Sequence, residues 1–151
     1  MNISRRSWIC ATAAATGMTL FGSVGRALAS VEDVEKLIAD FSGGVAVEKG
    51  GPLKLTTPEI AENGNSVPVS VTVESPMTAD DYIESVSIMA SDNPSAEVVT
   101  FHFTPASGIA KASTRMRLAR TQDVYAIAKT NTGKVFQVSN NVKVTIGGCG
   151  G

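Results

Sequence analysis

The feature that most constrains this chain is the alternation of Val67, Val69, Val71 and Val73 with Pro68, Ser70, Thr72 and Glu74. Successive side chains of a strand point to opposite faces, so a two-residue apolar period fits a half-buried strand and would scatter around a helix. The pattern recurs. Tyr82 to Ala90 turns Val86, Ile88 and Ala90 to one side, and Val99, Phe101 and Phe103 mark another inward face. Thr114 to Leu118 and Val124 to Ala128 alternate as well, and Val142, Val144 and Ile146 form a last strand. Asp92-Asn93-Pro94 is a turn, and Asn131-Thr132-Gly133-Lys134 predicts a hairpin into Val135-Phe136-Gln137-Val138. Short strands separated by such signals every roughly 8–12 residues predict an all-β antiparallel sandwich.

Two details refine that picture. Pro68 has no N–H to give to a ladder, so its strand is expected at a sheet edge or with an unpaired start. Asp123-Val124-Tyr125 resembles the tyrosine corner of immunoglobulin-like sandwiches. The strands follow one short amphipathic helix. Ser30 is placed as its N-cap with Asp33 at the third helical position, and Val31, Val34, Leu37, Ile38 and Phe41 recur at helical spacing until Gly43-Gly44 ends the run. Gly50-Gly51 reads as a loop.

The front of the chain has a different character. Arg5-Arg6 is followed by the apolar pair Trp8-Ile9, then by a weakly apolar stretch from Cys10 to Gly25 and the small-x-small pattern Ala27-Leu28-Ala29. Residues 1–29 therefore read as a cleaved signal peptide of the twin-arginine type, although Cys10 stands where that pattern usually has lysine. The apolar run is short and broken by glycine, threonine and serine, which argues against a membrane anchor. Export to a bacterial periplasm is the expectation. Cleavage removes Arg5, Arg6 and Arg26, leaving ten basic residues against fourteen acidic ones, a net charge of −4. That balance favours neither nucleic acid nor an anionic membrane as partner.

Cleavage also removes Cys10, so Cys149 is the one cysteine of the mature chain and no internal disulfide can form. A lone cysteine in an exported protein points to intermolecular pairing or to a free thiol with a job. Its setting favours the second. Gly147, Gly148, Gly150 and Gly151 surround Cys149, and glycine offers no side chain for it to pack against and little restriction on the backbone. Residues 30–146 thus read as the sandwich domain with its helix, and 147–151 as a swinging arm that presents a thiol. The rest of the chain is poor in chemistry. His102 is the one histidine and alternates away from Phe101 and Phe103, which makes it a surface residue. One histidine and one cysteine build neither a usual zinc set nor a catalytic triad. Asp80-Asp81 reads as a solvated turn, and no glycine-rich phosphate loop joins a strand to a helix. The expectation is a protein without catalytic residues, metal or cofactor, on which other enzymes act.

The leader, the single mature cysteine and the terminus Val144-Thr-Ile-Gly-Gly-Cys-Gly-Gly151 closely resemble the SoxY family. The start Val31-Glu32-Asp33-Val34 and the segment Met77 to Tyr82 are similar to that family too. The resemblance implies the sulfur-carrier subunit of the periplasmic thiosulfate-oxidising (Sox) system, with an immunoglobulin-like sandwich that forms a heterodimer, SoxYZ, with a SoxZ-like β-sandwich subunit. It implies that Cys149 anchors sulfur intermediates covalently. It also implies partner enzymes: the c-type cytochrome SoxAX, the sulfate thiohydrolase SoxB and the sulfane dehydrogenase SoxCD. Two other readings of the tail are a thiocarboxylate donor built on Gly151, which needs nucleotide-dependent activation, and an interaction module tethered by an intermolecular disulfide.

Overall fold

The computed structural model describes residues 28–147. The twin-arginine pair and the tail residues Gly148, Cys149, Gly150 and Gly151 lie outside the described residues. Helix α1 runs Val31–Ser42, and its start is a reciprocal cap. The Asp33 N–H donates to Ser30 Oγ at 3.2 Å, and the Ser30 N–H donates to Asp33 Oδ2 at 2.8 Å. Two of the donors that a helix start leaves free are satisfied in this way. Gly43 ends the helix in the left-handed region at φ 62°, where a side chain would cost energy, and its N–H donates to the carbonyls of Ala39 and Asp40.

Nine strands follow: β1 Val47–Lys49, β2 Leu53–Thr56, β3 Ile60–Asn63, β4 Val67–Val73, β5 Ile83–Ala90, β6 Glu97–His102, β7 Ala110–Met116, β8 Gln122–Thr130 and β9 Val135–Ile146. They form a six-stranded sheet, ordered β1-β9-β8-β5-β6 with β3 also on β9, and a three-stranded sheet ordered β2-β4-β7. The two sheets close on one apolar core. Val67, Val69, Val71 and Val73 of β4 meet Val86, Ile88 and Ala90 of β5 and Val124, Ala126 and Ala128 of β8 in it. Each fully buried valine or isoleucine contributes on the order of 1.5–3 kcal/mol over leaving it in water.

The sandwich has a third layer. Met89, Ile127 and Val135 project from the opposite face of the larger sheet into a second cluster with Val34 and Ile38 of α1, and Leu37, Phe41 and Tyr125 pack around it. β5 is therefore buried on both faces, including Ser85 and Ser87. Val86, Ile88 and Ala90 face the core between the sheets as their alternation predicts, and Ser85, Ser87 and Met89 on the other face are buried as well instead of meeting water.

Several expectations are corrected. β4 is the middle strand of its sheet, paired with β2 and β7, so of the two alternatives for Pro68 the edge is wrong and the unpaired start holds. Pro68 is tolerated because pairing on the β2 flank ends at Thr56 with Ser70, which leaves the start of β4 unpaired on that side. Val135–Val138 and Val142–Ile146 are one strand of 12 residues, not two. β1, β2 and β3 were not legible, and β1 and β3 are short parallel partners of β9 in an otherwise antiparallel fold. A 3-10 turn over Pro105–Ser107 separates β6 from β7. Tyr125 packs toward α1 and builds no corner. The hairpin at Gly133 is as expected, with φ 87° and the Thr130 N–H donating to the Lys134 carbonyl at 2.9 Å.

Candidate functional site: the root of the C-terminal tail

Cys149 follows Gly147 by two residues, so the end of β9 bounds where it can reach. β9 is held to its last residue. Ile60, Ala61 and Asn63 of β3 pair with Lys143, Val144 and Ile146. The Gly64 N–H donates to the Ile146 carbonyl at 2.7 Å, and Thr145 Oγ1 donates to the Glu62 carbonyl at 2.9 Å. From the other flank, the Val144 N–H donates to Thr121 Oγ1 at 2.9 Å. The strand is thus hydrogen-bonded on both flanks near its end, although Ile146 itself is 67 % exposed.

The loop between β7 and β8 is fixed by a buried amide pair. Asn93 Nδ2 donates to the Arg117 carbonyl at 2.8 Å, and Asn93 Oδ1 accepts from the Ala119 N–H at 3.1 Å and from Gln122 Nε2 at 3.0 Å. Gln122 Oε1 accepts from the Asp92 N–H at 2.8 Å. Both amides are buried, and each bond they make would otherwise be a buried polar group without a partner. The loop they hold puts the Ala119 carbonyl against Gly147, where a Cβ would run into the carbonyl oxygen. Gly147, expected only as a link of the arm, has a local steric reason to be glycine. The Leu118 N–H donates to the Gly64 carbonyl at 2.8 Å and closes the ring around the root.

Other features stand apart from this site. His102 is exposed at the end of edge strand β6, and Asp80 and Asp81 are exposed in a turn. Among the described residues no three of His, Cys, Asp and Glu come together in a way that could hold a metal ion, and no helix there is long and apolar enough to cross a membrane. A cleft of about 570 Å³ lies between α1 and the larger sheet, lined by Val31, Glu35, Lys49, Tyr125, Gln137 and Ser139. Burial, with Asp123 and Glu35 nearby, raises the Tyr125 hydroxyl above its ordinary pKa. This cleft does not serve the thiol. Ser139 precedes Gly147 by eight residues of extended chain, about 25 Å, whereas Cys149 can lie at most about 7 Å beyond Gly147.

A three-layer sandwich whose last strand is held on both flanks up to Ile146 defines the class of fold. Comparison with known proteins gives the family. The profile of the sulfur oxidation protein SoxY matches residues 38–149, and the chain belongs to that family. It is similar to the solved sulfur carrier protein SoxY from Chlorobium limicola f thiosulfatophilum, with 31% identity and TM-score 0.65, covering 78% of this chain and 100% of the other. Superoxide reductases share the fold alone. That of Ignicoccus hospitalis is 16% identical, with TM-score 0.57, covering 78% of this chain and 94% of the other. A putative one from Thermotoga maritima is 20% identical, with TM-score 0.53, covering 70% and 90%. A search of curated proteins found no match.

Proposed function

We propose that this chain is a covalent sulfur carrier of periplasmic thiosulfate oxidation, with Cys149 as the attachment site and Gly147, Gly148, Gly150 and Gly151 as the arm. The observation that carries this is the junction at Ile146: a strand clamped on both flanks runs directly into Gly-Gly-Cys-Gly-Gly. Membership of the SoxY family supports it. Joining a thiol to the outer sulfur of thiosulfate forms a sulfur–sulfur bond and releases one proton and two electrons. The electrons pass to a c-type cytochrome of the SoxAX kind. A SoxB-like enzyme then hydrolyses the terminal sulfonate, releasing sulfate and leaving a persulfide. A SoxCD-like enzyme oxidises the outer sulfane to a sulfonate with oxygen from three waters, passing six electrons to a cytochrome. A second hydrolysis releases sulfate and restores the thiol. The carrier contributes a thiol and access and no catalysis of its own. An ordinary thiol, pKa ~8.5, is only a few per cent thiolate at neutral pH, so activation falls to the partner's active site. Glycines on both sides let backbone and thiol enter a narrow channel while the sandwich docks outside.

The leader, residues 1–29, takes the chain to the periplasm, and a SoxZ-like sandwich subunit completes the heterodimer. Intact-mass measurement of protein incubated with thiosulfate and its processing enzymes tests the reading. Reductant-sensitive adducts are expected on the wild type, and none on Cys149→Ser. Adducts that persist on the serine variant would place the attachment elsewhere.

A further inference from the structure

The outward face of the three-stranded sheet carries charge of one sign. Its side chains form cross-strand rows: Lys54, Thr72 and Lys111, then Thr56, Ser70 and Ser113, then Pro68 and Arg115. Lys54, Lys111 and Arg115 are exposed, and none of the three strands contains an acidic residue. Arg117, also exposed, continues β7 into the loop that abuts Gly147. Glu74, next after β4 at the end remote from Gly147, forms no ion pair with these cations. The helix on the opposite side of the molecule carries Glu32, Asp33, Glu35 and Asp40 against Lys36 alone. In a mature chain of net charge −4, three strands whose only charged residues are positive, with Glu74 just past the end remote from Gly147, are a local reversal of sign.

We propose that this face is the docking surface for an acidic rim on the enzymes that process the tail. The inference rests on the carrier reading above. Cys149 lies at most about 7 Å of chain beyond Gly147, so an active site that receives it brings its protein body down onto the surface around the root. β7 and the loop after it border that root, whereas β3, on the other flank of β9, carries Glu62. An acidic rim approaching from the β7 side meets Arg115 first and the two lysines about 13 Å further along the sheet. Complementary charge of this kind raises the encounter rate and orients the partner, and salt screens it.

The test uses full-length carrier and each purified thiol-processing enzyme, assayed separately at low and at high salt. Lys54→Glu with Lys111→Glu is compared with Lys36→Glu plus Lys49→Glu, which makes the same change of net charge on the helix side. The first double variant should raise the KM for carrier about tenfold at low salt with kcat unchanged. The difference from wild type should vanish at high salt, and the helix-side control should stay within about twofold. Adding Arg115→Glu should deepen the effect, and circular dichroism checks the fold, since Arg115 also donates to Ser66 at 3.3 Å. Equal KM values for both double variants with every enzyme would overturn the proposal. So would loss of binding to phosphatidylglycerol vesicles in the first variant with unchanged kinetics, which would make the face a membrane contact. Turnover that survives Cys149→Ser would instead overturn the carrier reading itself.

Discussion

Gly147 and Cys149 are two residues apart, yet different physics governs what a substitution at each should do. A Cβ on Gly147 meets the Ala119 carbonyl, so Gly147→Val must displace either the end of β9 or the loop held by Asn93. The expected cost is on the order of 1–3 kcal/mol, read as a Tm lowered by several degrees. Cys149→Ser should leave the unfolding free energy within about 0.5 kcal/mol of wild type while abolishing the thiosulfate adduct. Gly148→Val with Gly150→Val should keep a titratable thiol and slow transfer, because branched side chains stiffen and widen the arm. A wild-type rate in that variant would reduce the glycines to a frayed end. The proposal for Cys149 comes from the sequence, where removal of a leader holding Cys10 would leave it the one cysteine. The root of the tail was not legible there. Asn93 reads as an ordinary turn residue before Pro94, and its contacts lie 24 to 29 positions away at Arg117, Ala119 and Gln122. Asn93→Ala should strand buried donors and acceptors at a cost of roughly 1–3 kcal/mol, in a denaturant titration followed by hydrogen exchange at Ala119.

At the scale of elements, local rules worked where an element was long and one face met water. The cap Ser30–Asp33 and the stop at Gly43 follow from short-range chemistry, as does the Gly133 hairpin. The strands β1, β2 and β3 are three or four residues each, too short for a period to show. The position of β4 could not be read from Pro68, because what matters is where β2 happens to end. Nor did the sequence show which elements cover the outer face of the larger sheet, since Met89, Ile127 and Val135 come from three separate strands. Ile127→Ala should destabilise by about 2–5 kcal/mol if α1 seals this cluster, with chemical denaturation as the measure. The cap adds a pH dependence of known sign. Hydrogen bonds from the Ser30 N–H and hydroxyl, with help from Lys36, hold the Asp33 carboxyl below its ordinary pKa. A depressed folded pKa means the contribution is complete above the unfolded value, near about 3.9, and is lost as pH falls through the folded one. Helical circular dichroism should therefore decline below about pH 4, and Asp33→Asn should remove that acid-dependent step.

For the whole molecule, the described fold combines an apolar core between two sheets, a small sheet whose charged strand residues are all positive, and a last strand held on both flanks up to Ile146. If the tail is a carrier arm, pairing with a second subunit must leave the thiol free. If it is a tether, pairing must consume it. Exposed Ile60, Ile109 and Ile146 leave apolar surface on the described chain that a partner subunit can bury. Co-expression with a SoxZ-like subunit should give a 1:1 complex by size-exclusion chromatography and light scattering. The complex should have a higher Tm than the isolated chain, because a partner that binds only the folded state stabilises it. Reductant should not dissociate that complex, and Cys149→Ser should form it equally well. The isolated wild type should also form reductant-sensitive disulfide dimers in air, and the serine variant none. A chain that stays monomeric beside the candidate subunit would remove the heterodimer. A heterodimer that falls apart on reduction, or that Cys149→Ser cannot form, would show the cysteine bonded to its partner, and the tail would then be a linker and not an arm.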